Sequence, residues 1–453
     1  MSLHVVLVLT GSAGDLFPFL RLGEGLRGRG HRVTVVAPSL HGPIVQQAGL
    51  DFHGTFADPV TLDDPDLWHP QRGFRVVWNA VRAGLAELLP FVAALDPGEE
   101  CVLVAHPLAL PAADLCRTVR TLTVIGVYLA PSNIPTIYDP MMLGPLAIPR
   151  SVPMAVRRWL WRQVAGRLVD PVALPGINAD RAVHGLSPAP GVLALMRSVP
   201  ELSVTLFPPW FGPPQPDWPA PLLAGDFPLY DPDPDAACSS ELAAFLAAGA
   251  RPVVFTHGTG NHQAAPYFAH ALAAVQRLGL RAIFLTGHRQ QVAASLPSTV
   301  LWQEYLPLKA LLPKVALLVH HGGIGTTAEA MRAGVPQLVV PLAFDQFDNG
   351  ARVQSLKVGA VLRHSRLGTA ALCKAIRQVL NSSEVAAHCS ALRATMAASP
   401  SLDHVIDAIV NGRPPAGSAV AGEVACELLS DAEVDASRAR GNAGRHASPD
   451  TTT

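Results

Sequence analysis

The segment VALLVHHGGIGTTAEAMRAGVPQLVVPLAFDQFDN (315–349) decides the fold prediction. An apolar run at 315–321 predicts a buried strand, and a glycine-rich turn leads from it into a helix. Gly334 ends that helix and Pro336 prevents its continuation, after which 337–343 predicts a second strand. Strand, helix and strand in this order indicate a β-α-β unit of a parallel sheet.

The turn between the first strand and the helix is a candidate anion site. Gly322, Gly323 and Gly325 let the backbone turn tightly and approach a ligand closely. The Thr326 and Thr327 hydroxyls and the free N–H groups of the first helical turn attract an anion, and the helix dipole strengthens that attraction. His321, at the strand end, can donate a hydrogen bond to the same anion. A tight turn without any ligand is the alternative explanation of these glycines.

The same alternation of apolar strands and helices occurs on both sides of a proline-rich stretch. In the first half a helix is predicted at 16–30, and in the second half a helix ends near 278. The further predicted strands are 4–11, 31–38, 101–106, 123–130, 251–260 and 281–287.

These patterns predict an α/β fold of two doubly wound, Rossmann-like domains that face each other across a cleft. We predict an N-terminal domain at 1–207, a proline-rich linker at 208–235 and a C-terminal domain at 236–412. The final segment, 413–453, lacks an apolar period and is predicted to be a disordered tail. Ligands of such folds bind at the carboxyl ends of the strands, so the cleft is the expected site.

Composition excludes several classes of protein. The 453 residues are 49% hydrophobic with a formal net charge of −1, which gives no basic field to favour nucleic acid. The six cysteines form no C-x-x-C pair, so we expect a reducing compartment and no zinc site. The N-terminal apolar run has only strand length, and no apolar stretch of about 18 residues is evident. We therefore expect a cytoplasmic protein without a signal peptide or a membrane-spanning helix.

The segment HHGGIGTTAEAMRAGVPQLVVPLAFDQFDN resembles the donor-binding signature of family 1 glycosyltransferases of the GT-B fold. The resemblance covers most of residues 1–411. GSAGDLFPF, DPDLWHP, WFGPPQPDWPAPL, FLTG, YLPLKALLP and DQFDN are especially similar to the bacterial rhamnosyltransferases of rhamnolipid synthesis. The HHGGIGTT form is also similar to sterol and antibiotic glycosyltransferases.

This resemblance implies an inverting hexosyltransferase that needs no metal or other cofactor. Its co-substrate would be a nucleoside diphosphate sugar, dTDP- or UDP-linked, that carries rhamnose or glucose. The acceptor would be a hydroxyl group of a lipid-like molecule, and the protein would be at most peripheral to the inner membrane. A sugar-nucleotide epimerase on the same fold and a non-catalytic activator subunit that binds the nucleotide sugar are the alternatives.

The resemblance also implies roles for residues of the 321–346 region. His321 would contact the diphosphate, which Thr326 and the neighbouring N–H groups would hold at the helix N-terminus. Glu329 would accept hydrogen bonds from the ribose, and Asp345 with Gln346 would bind sugar hydroxyls. Each has a structural alternative, because a carboxylate in a first helical turn is favourable without a ligand and the Asp-Gln pair can cap the next helix.

Three further residues match the family's donor site. Tyr305 in EYLPL corresponds to the aromatic residue that stacks on the nucleobase, and its alternative is an ordinary core aromatic. Plant relatives usually carry tryptophan there, so the base preference stays open. Gly258 and Thr259 in THGTG correspond to a small-residue loop near the phosphates.

On the acceptor side, GSAGDLFPF (11–19) resembles the family turn whose polar residue before x-x-Pro is the general base. That residue is Asp15, three positions before Pro18. Such a base takes the proton of the attacking hydroxyl. The alternative is that Asp15 only caps a helix that starts at Leu16. His106, at the end of a predicted strand, is a second candidate for a residue that faces the acceptor side of the cleft. The alternative is that its hydrogen bonds are satisfied locally and that it has only a structural role.

The segment VRRWLWRQVAGRL (156–168) combines arginine and tryptophan side chains. Contact with a membrane surface and a place in an acceptor channel are two interpretations. An ordinary amphipathic helix is the third.

Overall fold

The computed structural model describes residues 2–56, 61–69, 71–138, 141–232, 239–398 and 402–412. The predicted tail at 413–453 lies outside the described residues. The strands in order along the sequence are β1 His4–Val8, β2 Arg32–Pro38, β3 Asp51–Thr55, β4 Cys101–Ala105, β5 Thr123–Tyr128, β6 Met141–Leu143, β7 Leu146–Ile148, β8 Leu202–Thr205, β9 Leu222–Ala224, β10 Val253–Thr256, β11 Ala282–Leu285, β12 Val300–Gln303, β13 Leu317–His320, β14 Gln337–Val339 and β15 Gly359–Val361.

Helices alternate with these strands through both halves of the protein. They are α1 Ala13–Gly28, α2 Gly42–Gln47, α3 Gly73–Leu85, α4 Leu88–Ala93, α5 Leu110–Cys116, α6 Met154–Val164, α7 Asp170–Val183, α8 Val192–Ser198, α9 Ser240–Ala247, α10 Ala265–Leu278, α11 Leu308–Leu311, α12 Ile324–Ala333, α13 Gln346–Ser355, α14 Thr369–Leu380, α15 Ser383–Ala397 and α16 Asp403–Asn411. A π-helical segment, Ala165–Val169, joins α6 to α7.

Two parallel sheets form the cores of two domains. The first has seven strands in the order β3-β2-β1-β4-β5-β8-β9, and the second has six in the order β12-β11-β10-β13-β14-β15. The strands read as continuous apolar runs because helices cover both faces of each sheet. Separate apolar clusters line the two faces of the first sheet, with Val5 and Leu7 in one and Val6 and Val8 in the other. The predicted α/β fold of two doubly wound domains is confirmed.

The proline-rich segment differs from the predicted linker. Residues Leu222–Ala224 form β9, the edge strand of the first sheet, because proline is compatible with an edge position. Phe211 and Trp218 are buried in an apolar cluster that includes Met331 of the second domain. Arg352 of α13 also donates to the backbone oxygen of Phe211 at 2.7 Å. The described part of this segment is therefore packed structure that joins the domains.

The last described helix returns to the first domain. Helix α16 lies within the predicted C-terminal domain, yet Val405 and Ile409 are fully buried in the core of the first sheet. Arg29, just beyond α1, forms ion pairs of 2.7 Å with Asp403 and with Asp407. The sequence-based boundary at 412 is therefore corrected, because α16 packs with the N-terminal domain.

One helical segment contradicts the expectation about membrane-spanning length. Gly73–Ala93, which comprises α3 and α4 with a short turn between them, is 21 residues long and apolar enough to cross a membrane. Its Trp78, Leu85 and Leu88 side chains pack into the core of the first domain. These are the contacts that a core helix of a globular domain makes.

Helix α6 covers most of the segment predicted at 156–168. Arg157 is buried and donates to the backbone oxygens of Ile137 and Pro149, each at 2.8 Å. Trp161 donates to the backbone oxygen of Thr136 at 2.7 Å, whereas half of Trp159 is exposed. The amphipathic helix thus anchors the loop that precedes it, and Trp159 is the aromatic side chain it presents outward.

Candidate active site

In each sheet, the predicted site residues follow the two strands between which the strand order reverses. The strand order reverses between β1 and β4 in the first sheet and between β10 and β13 in the second. Doubly wound sheets bind ligands at such switch points, outside the carboxyl ends of the strands. Asp15 and His106 follow β1 and β4, and Gly258 and His321 follow β10 and β13. The fold therefore puts the main sequence-predicted residues at the switch points of the two domains.

The turn after β1 holds Asp15 tightly. Gly11 has a φ of +112°, and a Cβ atom there would lie 2.3 Å from Oδ2 of Asp15. The Ser12 backbone N–H and hydroxyl donate to that same oxygen at 2.8 and 3.2 Å. His41 donates from Nε2 to the Gly11 backbone oxygen at 3.0 Å and so supports the turn. A glycine is required at this position because both the conformation and the space exclude a side chain.

The structure corrects the predicted start of the helix that carries Asp15. Helix α1 begins at Ala13, with Ser12 as its N-cap, instead of at Leu16. Asp15 is the third helical residue and completes a capping box with Ser12. Asp15 thus takes part in capping the helix, as the structural alternative expected, but from the third helical position and not as the N-cap. Burial raises the pKa of Asp15 to about 6, although bonds from Ser12 lower it and part of the side chain is open to the cleft.

In the second domain, His321 lies between two glycines. A Cβ atom at Gly258 would lie 2.9 Å from the imidazole, and one at Gly323 would lie 2.6 Å from its Nε2 atom. Burial lowers the pKa of His321 to about 4, so the ring is neutral at neutral pH. Its Nε2 atom thus lies beside the N-cap of α12, where the sequence predicts a bound diphosphate.

The N-terminus of α12 is open. Gly323 is the N-cap, no side chain among the described residues caps the helix, and its first turn contains no acidic residue. No described atom would contact a Cβ atom at Gly325 within 4 Å, and Thr326 lies in the same turn. The Thr327 hydroxyl instead donates to the Gly323 backbone oxygen at 3.0 Å. The first-turn N–H groups can therefore receive an external anion.

The Asp-Gln pair begins α13 beside this turn. Asp345 occupies the N-cap position but forms no side-chain cap with any described residue, so the capping alternative fails for it. Its Oδ2 atom accepts a bond of 2.8 Å from Asn349. Gln346 is buried, and its Oε1 atom accepts from the Leu342 and Ala343 backbone N–H groups. The pair is thus fixed at the edge of the cleft.

Asp345 lies close to Asp15 of the other domain. Burial and the charge of Asp15 raise the pKa of Asp345 to about 7, against the bond from Asn349. Asn349 also donates to the Gly322 backbone oxygen at 2.9 Å. It therefore connects the glycine turn to the Asp-Gln pair. The sequence interpretation assigned no role to Asn349, although its spacing of four residues from Asp345 on a helix is the signal for their contact.

Glu329 is buried in the second turn of α12, so the first-turn alternative is wrong. It accepts a hydrogen bond from Arg332, which also lies 3.8 Å from Asp231. Burial raises the pKa of Glu329 to about 7, with a lowering effect from the charge of Arg332 and a raising effect from the charge of Asp231. Tyr305 is 52% exposed, which contradicts the core alternative for that residue.

The remaining candidates lie at strand ends. Thr259 is exposed beside Gly258, whose φ is +82°. His106 is buried, and its Nδ1 atom accepts from the Leu108 backbone N–H at 3.3 Å as an N-cap. Burial lowers the pKa of His106 to about 4. Its contacts are those of the structural alternative, a satisfied histidine at a strand end.

Contacts across the cleft involve residues that the sequence interpretation missed. His262 of the second domain donates from Nδ1 to Asp63 of the first at 2.6 Å. The rings of Trp68 and Phe344 lie 6.0 Å apart in an edge contact, and Phe344 has a φ of +55°. Such pairs join positions far apart in the sequence, so no local pattern indicates them.

Comparison with known proteins identifies glycosyltransferases that are similar to this chain in sequence. The family pattern of the erythromycin biosynthesis protein CIII-like C-terminal domain matches residues 270–411. O-mycaminosyltylonolide 6-deoxyallosyltransferase of Streptomyces fradiae is 30% identical over 420 residues, which cover 87% of this chain and 94% of that protein. Sterol 3-beta-glucosyltransferase of Candida albicans is 24% identical over 393 residues. That alignment covers 80% of this chain and 25% of the longer yeast protein.

A solved structure shares the fold. Spinosyn rhamnosyltransferase SpnG, complexed with thymidine diphosphate, superposes with a TM-score of 0.59 at 22% identity. The match covers 90% of this chain and 99% of that one. The two-domain architecture is thus that of known sugar transferases.

Proposed function

Because this chain belongs to the family 1 glycosyltransferases of the GT-B fold, we propose that it transfers a hexose from a nucleoside diphosphate sugar to a hydroxyl group of an apolar acceptor. One observation carries the proposal. Asp15 follows β1 at the switch point of the first sheet, and the uncapped N-terminus of α12 follows β13 at the switch point of the second. Asn349 bonds the turn before α12 to Asp345, whose pKa is raised by burial and by the charge of Asp15. A proton acceptor and an anion site thus flank one cleft.

The proposed reaction is a single displacement. Asp15 takes the proton of the acceptor hydroxyl as its oxygen bonds to the anomeric carbon, and the bond from that carbon to the diphosphate oxygen breaks. The developing charge passes to the diphosphate, where the α12 N–H groups and His321 stabilise it without a metal ion. Attack from the face opposite the leaving group inverts the anomeric centre. A pKa of about 6 makes Asp15 a stronger base than an ordinary aspartate while leaving it ionised at neutral pH.

The donor in this proposal carries rhamnose or glucose on dTDP or UDP. The thymidine diphosphate bound to SpnG and that protein's rhamnosyltransferase activity support dTDP-rhamnose as the first donor to test. Tyr305, exposed after β12, would stack on the base, and Glu329 would turn from Arg332 toward the ribose hydroxyls. Asp345 and Gln346 would bind the sugar hydroxyls.

The acceptor in this proposal is an apolar molecule that carries a hydroxyl group, such as a hydroxylated lipid. The sterol glucosyltransferase relative supports this class. Exposed apolar side chains at Leu146, Val156 and Trp159 flank the first domain and would contact such an acceptor or the membrane that holds it.

A donor panel tests the proposal. The purified protein is incubated with dTDP-rhamnose, dTDP-glucose, UDP-rhamnose or UDP-glucose and a hydroxy-fatty acid or sterol, and products are read by mass spectrometry. We expect a hexosylated apolar product and equimolar nucleoside diphosphate, unchanged by EDTA. NMR of the product should show inversion. Nucleotide binding without any product, or donor isomerisation without transfer, would favour the activator or the epimerase alternative instead.

A further inference from the structure

A second histidine, His257, lies behind His321 and has no part in the function proposed above. It follows β10, is only 3% exposed, and its ring centroid lies 6.2 Å from that of His321. Burial and the neighbouring His321 lower its pKa well below the ordinary value, so the ring is neutral and carries one proton. The position of that proton follows from its neighbours.

Asn261 determines which nitrogen of His257 is protonated. The Oδ1 atom of Asn261 accepts from the Gln263 backbone N–H at 2.8 Å, so its Nδ2 group is the one that faces His257. That Nδ2 group lies 2.6 Å from Nδ1 of His257, which must therefore accept. A neutral imidazole that accepts at Nδ1 carries its proton at Nε2. His257 is thus fixed as an Nε2–H donor.

That donor and its neighbour are complementary. The Nε2 atom of His257 and the Nδ1 atom of His321 are both buried and without a hydrogen-bond partner among the described residues. Leaving such groups unpaired is costly, and buried polar groups are normally satisfied directly or through water. Two imidazoles in a direct N–H···N bond have centroids about 5 Å apart, from a bond of about 2.9 Å plus the two ring radii. At 6.2 Å the rings are about 1 Å too far apart for a direct bond, so the contact is completed by an approach of that size or by one water between nitrogens that lie off the line of centroids.

The other nearby imidazoles are poorer acceptors for this proton. His320 is already engaged at both nitrogens, by Gln337 at 3.0 Å and by the Gly322 backbone N–H at 3.2 Å. The ring centroid of His364 lies 6.4 Å from that of His257, but His364 is exposed and its nitrogens can be satisfied by solvent. His321 is therefore the partner whose buried nitrogen needs a donor.

We propose that His257 is a positioning residue, which donates from Nε2 to Nδ1 of His321, directly or through one water, and thereby holds His321 in the Nε2–H tautomer. In that tautomer the proton of His321 lies at the nitrogen beside Gly323, at the N-terminus of α12. A series of donors then runs from Asn261 through both histidines to the anion site. This inference rests on the proposed donor site for its consequence, but the tautomer itself is independent of any ligand.

The test is the imidazole 15N spectrum of the nucleotide-free protein. His321→Gln identifies the His321 signals, and we expect the two-bond 1H–15N pattern of the Nε2–H tautomer for both His257 and His321. An Nδ1–H tautomer for His321 in the wild-type protein overturns the proposal without any variant of His257. This measurement remains decisive if the protein proves to bind no nucleotide, which would instead contradict the proposed function.

Variants of His257 give a second readout. His257→Phe keeps a ring but removes the donor, and should shift the His321 signals toward mixed tautomers and weaken thymidine diphosphate binding about 3- to 10-fold, as for a lost hydrogen bond. His257→Gln has an amide N–H that can donate, so the His321 signals and the thymidine diphosphate affinity should both remain close to those of the wild-type protein. His270→Phe is the matched control in the same domain, since the ring of His270 contacts Thr369 instead.

Unchanged His321 signals in a folded His257→Phe protein, or a change confined to His364, contradict the proposal. If that variant does not fold, Asn261→Leu should produce the same loss of tautomer bias, and its absence counts equally against the proposal.

Discussion

The N-termini of α1 and α12 occupy comparable places in the two domains and differ in how they are capped. Helix α1 is closed by its own residues, because Ser12 and Asp15 form a capping box. Helix α12 has Gly323 as its N-cap, with no side-chain cap among the described residues and no acid in its first turn. One helix end therefore supplies its own negative charge, whereas the other leaves its N–H groups for a ligand. Small changes of residue type at one kind of turn thus give a self-capped helix in one domain and an uncapped helix in the other, which we propose as the base and the diphosphate site, respectively.

Removing the carboxylate at the closed helix should have the largest effect. Asp15→Asn keeps the size and much of the capping ability of the side chain, so folding should survive. It removes the proton acceptor, so kcat should fall about 10²–10⁴-fold while donor affinity is nearly unchanged. Steady-state kinetics and calorimetry measure both. Asp180→Asn, which only breaks a surface ion pair with Arg82, is the control. A near-normal kcat in folded Asp15→Asn would transfer the base role to another residue, with His106 the next candidate.

Changing the open helix end should impair binding instead. His321→Ala removes the imidazole donor beside Gly323 and should weaken nucleoside diphosphate affinity by about 1–3 kcal/mol, the range for a hydrogen bond to a charged group. Calorimetry with the free nucleotide measures this loss. His388→Ala, on the exposed surface of α15, should leave the affinity unchanged. Equal affinity in His321→Ala and the wild-type protein would remove His321 from the donor site.

The pH dependence of the rate distinguishes the N-terminus of α1, with Asp15, from that of α12, with His321. A general base acts only when ionised, and burial places the pKa of Asp15 at about 6. The value of kcat/KM should therefore fall about tenfold per pH unit below pH 6 through Asp15, after a first decline near pH 7 where the donor-site carboxylates Asp345 and Glu329 become protonated. His321 has a pKa of about 4 and stays neutral across this window. The residual activity of Asp15→Asn should lack the limb near pH 6, and persistence of that limb would assign it to a different group.

Weakening the capping box should have the smallest effect. Ser12→Ala removes the N-cap hydroxyl and should lower the free energy of unfolding by about 1 kcal/mol, as measured by denaturant titration. The lost hydroxyl bond had lowered the pKa of Asp15, so the acid limb should also move to higher pH. Nucleotide affinity should not change. A limb that moves to lower pH would show that Ser12 does not contact Asp15 as described.

The strands and the open helix end were largely predictable from local sequence. Apolar runs identify β1, β4, β10 and β13, and the glycine turn before α12 is visible because its chemistry lies in consecutive residues. The helix containing Asp15 was predicted three residues too late, since Ser12 as the cap is one of several polar residues in that turn. The family was also recognised correctly, whereas its rhamnolipid-synthesis branch remains a proposal.

What escaped prediction depends on contacts between distant segments. Proline density excludes a helix interior, but it does not exclude the short edge strand β9, which forms because β8 offers a free edge. The contact of His257 with Asn261 is local, yet its meaning depends on His321, which arrives from another strand. The same holds for Asp63 and His262, which meet only because the domains close on each other.

Helix α16 has a practical consequence for recombining such enzymes. Its apolar face fills the core beside α1, where the Ile406 Cδ1 atom lies 2.2 Å from the position of a Cβ at Gly25. A chimaera that exchanges everything after the linker would place a foreign α16 against the original α1. The apolar contacts between these two helices in the core of the first domain would then be disrupted. The modular boundary is therefore discontinuous. A donor-specificity graft should replace 239–398 and retain residues 402–412 of the recipient.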